Sequence, residues 1–487
     1  MTTDVAMGRH ATAGWLDDRA RDCADRPAVE ILGAPSLSWA ELREAVIRLA
    51  DVLRGRGLRP GDRVSMRMRR STDSVIGLLA IWRRGGVPLL LDDGSPPDWI
   101  ARRERAAGVR WVFSADSGGL RRADARTLGN SAHHGAPQDD RSSLSHILCT
   151  SGTQAEPLAI GTSCQQLDEQ MLAYVERFAP DPGDRIALFS GLAHDPVIRD
   201  LGAALLSGAT IVVPPEDVFS VPRRAGRFLG ERRISLLHCT PGTLSLADPL
   251  RLADTWRDLR LVLCGGSALP AGLAAAVLPA PAVELVNVYG VSEVPQIASA
   301  HVVTEADIAG PPERSVSIGR GFGTRALELL KNVDTPDGQL EVVILTPSVG
   351  RELGDRAGEA STSLSPSTST GPVRFRTGDL AVRSEDGSVR IVGRRDDVLD
   401  VNGDRVSRAE VRDAAVGIDG VHEAKLVVGV DGATELLAVL SPDANVAEIR
   451  RHLGRLLPPA AVPRRIVEVD RRTIDRNRKK AIPHDRT

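Results

Sequence analysis

The chain has 487 residues, 42% hydrophobic and 26% charged, with a formal net charge of −2. That length exceeds what one hydrophobic core organises, so at least two domains are expected. Near-neutral charge leaves no electrostatic case for nucleic acid or an anionic membrane as partner. The cysteines (Cys23, Cys149, Cys164, Cys239, Cys264) are odd in number and form no C-x-x-C pair. They support neither a disulfide framework nor a zinc site. Met1 to Gly14 lacks the apolar core of a signal peptide, and no apolar run reaches membrane-spanning length. The expectation is a cytoplasmic protein. Its basic residues are almost all arginine, the only lysines being Lys331, Lys425, Lys479 and Lys480.

In chain order, Ser38-Trp39-Ala40-Glu41 predicts a capping box opening a helix. Leu42, Val46, Leu49 and Leu53 form its apolar face. A strand is expected from Arg63, a helix over Ser74 to Trp82 and a buried strand over Val87 to Leu91. Such alternation implies a largely parallel sheet covered by helices. Residues 115–143 are polar and loop-like. The alternation then resumes, with helices over Gln166 to Phe178, Asp200 to Leu206 and Pro222 to Arg232. Strands are expected over Arg185 to Leu188, Ala209 to Val213, Ser235 to His238, Leu259 to Leu263 and Glu284 to Val288. The Ser/Thr/Pro run from Ser361 to Pro372 is low in complexity. From Gly393 a smaller α+β unit is expected, with strands over Val421 to Val430 and Glu435 to Leu440 and a helix over Val446 to Leu456.

Six features recur at domain-scale intervals. Thr150-Ser151-Gly152-Thr153 follows a strand, and its run of backbone N–H groups and hydroxyls suits a polyphosphate. His194-Asp195-Pro196 precedes a helix. Gly265 and Gly266 follow a strand, where bare backbone can lie against a flat ring. Asn287-Val288-Tyr289-Gly290-Val291-Ser292-Glu293 combines an aromatic face, a tight turn and a carboxylate. Asp379, in Arg376-Thr377-Gly378-Asp379, sits on a turn suited to ribose hydroxyls. Gly393-Arg394-Arg395-Asp396 leads to Asn402-Gly403 at the proposed domain boundary. Each alone has a bland reading: Asp379 as a turn cap, Glu293 as a solvated acid, Tyr289 as core. Those readings do not explain the series.

The series resembles the adenylate-forming enzymes, in particular the amino-acid adenylation domains of nonribosomal peptide synthesis. Leu37-Ser38-Trp39-Ala40-Glu41-Leu42 and Gly338-Gln339-Leu340-Glu341 match weaker signatures of the same family. The resemblance implies an α/β fold: a large N-terminal domain of mixed sheets and helices, residues 1–395, and a small mobile α+β C-terminal domain, residues 396–487, with Asp396 as hinge. It implies ATP and Mg²⁺, formation of an aminoacyl-AMP with release of pyrophosphate, then transfer to a phosphopantetheine thiol. Thr150, Ser151, Gly152 and Thr153 would cradle the leaving phosphates, and Glu293 would bind Mg²⁺. Gly265, Gly266, Asn287, Tyr289 and Gly290 would hold adenine, and Asp379 and Arg394 the ribose. Asp195 would pair with the substrate's α-ammonium, which argues for an α-amino acid.

Two motifs depart from the family pattern. Where the phosphate loop reads T-S-G-T-T-G-x-P-K-G, this chain has Ala155 for the second glycine and Leu158 for the lysine, with Glu156 adding negative charge. That should weaken ATP binding. The C-terminal catalytic lysine aligns with either Arg476 or Lys479, depending on the anchor chosen, and arginine keeps the charge but not the point-like ammonium.

Positions matching the selectivity pocket are Asp195, Pro196, Arg199, Gly242, Leu263, Gly265, Val288, Gln296 and Ile297. An arginine there needs an anionic partner, either a substrate carboxylate or an internal acid such as Asp200. A small polar or acidic amino acid is expected. Since the sequence stops just after the final motif, the expected enzyme stands alone and loads a separate carrier protein, with a small helper protein a further candidate partner. Two other readings remain: another acyl acceptor such as an amine, or a degenerate nucleotide-binding homologue without turnover.

Overall fold

The computed structural model describes residues 11–114, 119–123, 144–150, 157–219, 222–246, 256–278, 283–312, 314–331, 339–353, 364–365, 372–384, 387–394, 398–401, 404–429, 433–441 and 444–469. Two large sheets dominate it. In the nine-stranded sheet the order is Arg320–Gly321, Val294–Val302, Glu284–Val291, Leu261–Gly265, Leu236–Cys239, Arg185–Ala187, Thr210–Val213, Pro27–Ile31 and Leu37–Ser38. Its central strands are parallel and its edges antiparallel. The seven-stranded sheet runs Arg351–Leu353, Leu158–Ser163, Leu144–Thr150, Val87–Asp92, Arg63–Met68, Trp111–Ser114 and Gly119–Arg122.

One hydrophobic cluster joins both sheets. It takes Met66, Leu90 and Leu148 from the seven-stranded sheet and Ile186, Ile211, Leu236 and Leu263 from the nine-stranded one. Leu42, Leu78, Met171, Tyr174 and Leu201 enter it from the helices Trp39–Gly55, Thr72–Arg83, Cys164–Phe178 and Pro196–Ser207. The other face of the nine-stranded sheet carries a second cluster, with Leu237, Val262 and Cys264 packed against Phe228 and Leu229. Neighbouring residues such as Leu236 and Leu237 thus point to opposite faces, both buried. This is why these strands read as continuous apolar runs rather than alternating ones.

The capping box at Ser38 is present: the Glu41 N–H donates to Ser38 Oγ at 3.3 Å and the Ser38 N–H to Glu41 Oε2 at 2.8 Å. The helix expected from Asp200 begins a turn earlier, at Pro196. Proline at the first helical position costs no backbone bond there, and the extra turn brings Arg199 into the helix. Gly208, at φ 83°, closes it. Within the stretch expected as loop, Gly119–Arg122 pairs with Trp111–Ser114, because Leu120 buries its side chain.

A five-stranded antiparallel sheet, Ala326–Leu330, Leu340–Thr346, Leu364–Ser365, Val373–Arg383 and Val389–Arg394, leads to the C-terminal residues. Residues 398–469 have their own core, in which Val411, Leu426, Leu436, Ile449 and Leu453 are buried. A hairpin of Val398–Val401 and Asp404–Ser407 leads into it. No helix of the described residues is long and apolar enough to cross a membrane.

Trp82 links the helical layer to the strand Leu144–Thr150, its Nε1–H donating to the Ser145 carbonyl at 2.9 Å in a fully buried setting. Trp82→Phe removes that donor and some volume, leaving a buried carbonyl unsatisfied. We expect about 2–4 kcal/mol lower unfolding free energy, read from urea transitions followed by circular dichroism. A change below about 0.5 kcal/mol would contradict the packing described.

Candidate active site

The site is built around the start of the Pro196–Ser207 helix. Asp195 precedes the helix without capping it. Its carboxylate turns instead toward two other elements. From the seven-stranded sheet, His146 Nε2 meets Asp195 Oδ1 at 3.2 Å, and His146 Nδ1 meets Ser145 Oγ at 3.2 Å. From the nine-stranded sheet, Gln296 Nε2 donates to Oδ1 at 2.7 Å and the Gln296 backbone N–H donates to Oδ2. Burial pushes the Asp195 carboxyl up. The His146 hydrogen bond and charge, the Gln296 N–H and the nearby Arg199 outweigh that and hold it below the ordinary carboxylate value.

Gln296 reaches Asp195 through unusual backbone. Tyr289 pairs with Ser299 and Val291 with Val294, so Gly290 alone faces Pro295 to Ala298 in a wide bulge. Gln296 lies at φ 66°, a left-handed conformation costly for a residue with a side chain. The bulge withdraws its N–H from the strand ladder and aims it at Asp195. A β-carbon on Gly290 would lie 2.3 Å from the Gln296 carbonyl oxygen, so only glycine fits.

A second cluster gathers three residues distant in sequence. Tyr289 donates its hydroxyl to Asp379 Oδ2, and Arg394 Nη1 donates to Asp379 Oδ1 at 2.5 Å. Arg394 Nη2 donates to the Thr377 carbonyl at 3.2 Å, and the Asp379 N–H to Thr377 Oγ1 at 3.0 Å. Burial, with the Asp379 charge adding to it, pushes the Tyr289 phenol well above its ordinary value, so it stays a donor. Asn287 is buried, with Nδ2 donating to the Ser317 carbonyl at 2.8 Å. Gly265 ends the Leu261–Gly265 strand, where a β-carbon would meet the Val288 carbonyl oxygen at 2.5 Å, and Gly266 follows at φ 84°.

The selectivity positions fall partly together. Leu263, Val288 and Ile297 belong to the same buried cluster as Val197 and Ile198 of the Asp195 helix. Gly242 lies on the separate Pro241–Leu246 helix, its carbonyl accepting from Ser245 Oγ at 3.3 Å. Pro196 opens the Asp195 helix. Arg199 is 5% exposed, and burial draws its pKa down against the charges of Asp200 and Asp195. Asp200 itself turns to His238 Nδ1, whose Nε2 meets the Tyr174 hydroxyl at 2.8 Å. Arg325 donates to the Ile297 carbonyl at 2.7 Å, and burial pulls its pKa to about 10.

Glu293 sits in the turn between Glu284–Val291 and Val294–Val302, three residues from Gln296, and its carbonyl accepts from the Gly350 N–H at 2.7 Å. Among the described residues no three His, Cys, Asp or Glu side chains gather as a metal cage. A single carboxylate of this kind fits Mg²⁺, an ion held largely through substrate phosphates and water. Thr150 ends the strand that carries His146 and pairs with Leu158, which stands where the family pattern has a lysine. The expectations for Ser151, Gly152 and Thr153, the hinge Asp396, and Arg476 and Lys479 lie outside the described residues.

Residues 16–352 match the family described as AMP-binding enzyme. The chain belongs to that family. It is an adenylation domain with the adenylate-forming fold. A plipastatin synthase of Bacillus subtilis (strain 168) is 26% identical over 481 residues, which is 93% of this chain and 18% of that protein. Novobiocin biosynthesis protein H of Streptomyces niveus is 28% identical over 495 residues, 94% of this chain and 80% of that one. Among the synthases the chain spans a small part: 18% of the plipastatin enzyme and 8% of tyrocidine synthase 3 of Brevibacillus parabrevis. The fold matches NpsA-ThdA, an artificially fused adenylation–PCP di-domain NRPS from Klebsiella oxytoca, at TM-score 0.77 and 19% identity, covering 95% of this chain and 94% of that one. It also matches the amide bond synthetase McbA from Marinactinospora thermotolerans at TM-score 0.76 and 22% identity, covering 95% and 96%.

Sequence reasoning missed His146, a lone histidine in an apolar strand whose partner only the fold reveals. It also missed the contact of His194 Nε2 with Asp404 Oδ1 at 2.8 Å, which ties the C-terminal hairpin to the residue before Asp195. For this adenylation domain, Gly290→Ala should push the Gln296 peptide away from Asp195. We expect about 1–3 kcal/mol of destabilisation, read from denaturant transitions. Adenylate formation should fall at least about tenfold, since losing roughly 1.4 kcal/mol of positioning suffices. Wild-type stability together with wild-type turnover would refute the close approach.

Proposed function

We propose that the chain activates an α-amino acid, small and polar or acidic, as its aminoacyl-AMP, releasing pyrophosphate, and passes it to the phosphopantetheine thiol of a separate carrier protein. The observation that carries this reading is the placement of Asp195. An ionised, largely buried carboxylate meets the strand leading to the phosphate loop through His146 and the turn holding Glu293 through Gln296. A substrate whose ammonium rests on Asp195 has its carboxylate held between those two elements. Orientation of this kind removes much of the entropic barrier to attack on the α-phosphorus.

In this reading Thr150, Ser151, Gly152 and Thr153 receive the departing phosphates. Asn287 and Gly265–Gly266 take the adenine with Tyr289, while Asp379 and Arg394 orient the ribose. Glu293 would hold Mg²⁺, which would supply charge neutralisation during displacement. Arg476 or Lys479 brings the cation for the first step. Asp396 serves as hinge between residues 1–395 and 396–487. ATP and Mg²⁺ are the small-molecule requirements.

A second reading keeps the first half-reaction and replaces the thiol by an amine. The fold likeness to an amide bond synthetase favours it, as does the loss of the usual loop lysine at Leu158. Amino-acid-dependent exchange of labelled pyrophosphate into ATP tests the shared step; its absence with every acid, despite nucleotide binding, would refute both. Acyl transfer to a carrier thiol against transfer to an amine separates them.

Asp195→Asn keeps the shape and removes the charge. We expect KM for the amino acid to rise about 10- to 100-fold, the worth of a charged hydrogen bond, with KM for ATP little changed. The acid lacking its α-amino group should then compete on equal terms. An unchanged KM would show that Asp195 does not bind the ammonium.

A further inference from the structure

Arg199 lies one helical turn beyond Asp195, so the two side chains leave the same face of the Pro196–Ser207 helix. It is 5% exposed, and its Nε is buried without a partner. Among the described residues it makes no hydrogen bond and no ion pair. The acids near it, Asp200 and Asp195, act on it through charge without hydrogen-bonding it. Asp200 Oδ1 is taken by His238 Nδ1, while Asp200 Oδ2 has no partner of its own and does not reach Arg199. Asp195 accepts from His146 and twice from Gln296. The Tyr174 hydroxyl meets His238 Nε2 at 2.8 Å and does not hydrogen-bond Arg199. Arg199 and Asp200 attract each other as charges but make no hydrogen bond or close ion pair.

A guanidinium this deeply buried, with its Nε unpartnered and nearby charges as its only compensation, gains from a ligand that supplies the missing hydrogen bonds. We infer that Arg199 receives a second carboxylate of the substrate, so that the acid activated here is an amino dicarboxylic acid. This rests on the amino-acid-activating reading and narrows it. The planar fork of arginine matches a carboxylate in a two-point contact, which an amide of the same shape reproduces poorly. Asp195 and Arg199 would bind opposite charges about one turn, roughly 6 Å, apart along the helix. The substrate would then lie along the helix start, with its remaining carboxylate free to react. Leu263, Val288 and Ile297, apolar and buried nearby, supply no competing polar group.

The test compares pyrophosphate exchange by the full chain with aspartate, glutamate, the homologue one methylene longer, asparagine and glutamine. The expected result is that one dicarboxylic acid exceeds its amide about 100-fold in kcat/KM. Arg199→Gln should bring the two within a few-fold, and Arg199→Lys should restore part of the preference. Preference of the wild type for a neutral side chain would overturn the inference without any variant. So would a preference that survives Arg199→Gln, leaving a structural arginine only. If no acid supports exchange, calorimetric titration with the same acids decides. A dicarboxylic acid that binds the wild type but not Arg199→Gln upholds the anion site while the activation reading fails. Binding by neither protein overturns both.

Discussion

A carboxylate held by donors from two sheets organises this molecule. Asp195 accepts from His146 on the seven-stranded sheet and from Gln296 on the nine-stranded sheet, and it does so ionised. In a poorly solvated setting such a charge is tolerated only when its lone pairs are filled. The two sheets therefore cannot slide relative to the helix start without leaving a buried charge uncompensated. Three of the roughly four acceptor directions of a carboxylate are used by the protein. The direction that remains defines where a cationic group can come.

The strain at Gln296 belongs to the same arrangement. A left-handed non-glycine residue costs of order 1–2 kcal/mol, and the bulge gives up ladder bonds as well. Two donors to Asp195 offset these terms. Gly290 makes the bulge possible by letting the two backbones meet where a methyl group could not stand. The second cluster works differently: Tyr289 and Arg394 both donate to Asp379, and Tyr289 adjoins that same glycine. Gly290 therefore lies between a cluster suited to a nucleoside and a carboxylate suited to an amine.

Much of this was legible in the chain. The capping box at Ser38, the helix ending at Phe178 and the helix from Val446 to Leu456 follow from local patterns that the structure keeps. The family resemblance linked Asp195, Tyr289, Asp379 and Arg394 to one kind of chemistry, and the structure joins the last three by hydrogen bonds. What the resemblance could not supply was side-chain pairing across the fold. His146 sits 49 residues from Asp195 and Gln296 another 101 beyond it, and no local pattern records that they meet. The bulge at Gly290 is equally silent, since its cause is close contact with backbone on the next strand. Arg199 shows the limit best: sequence left two partners open, and only the fold reveals that Asp200 Oδ1 is given to His238.

His194 and Asp195 are neighbours in the chain with opposite duties. Asp195 points inward to the two sheets, while His194, half-exposed, meets Asp404 of the C-terminal hairpin. Gly191 makes room for the turn, because a β-carbon there would sit 2.6 Å from the His194 ring. An exposed pair of this kind contributes little stability by itself. Its position gives it weight, since the hairpin touches the large unit one residue from the central carboxylate. Arg102 and Glu410, 3.2 Å apart, form a second contact between the same two parts. Seating of the C-terminal unit and the setting of Asp195 are thus coupled through a single peptide. The carboxylate is held by donors from both sheets, while its chain neighbour meets the hairpin that leads into the smaller core.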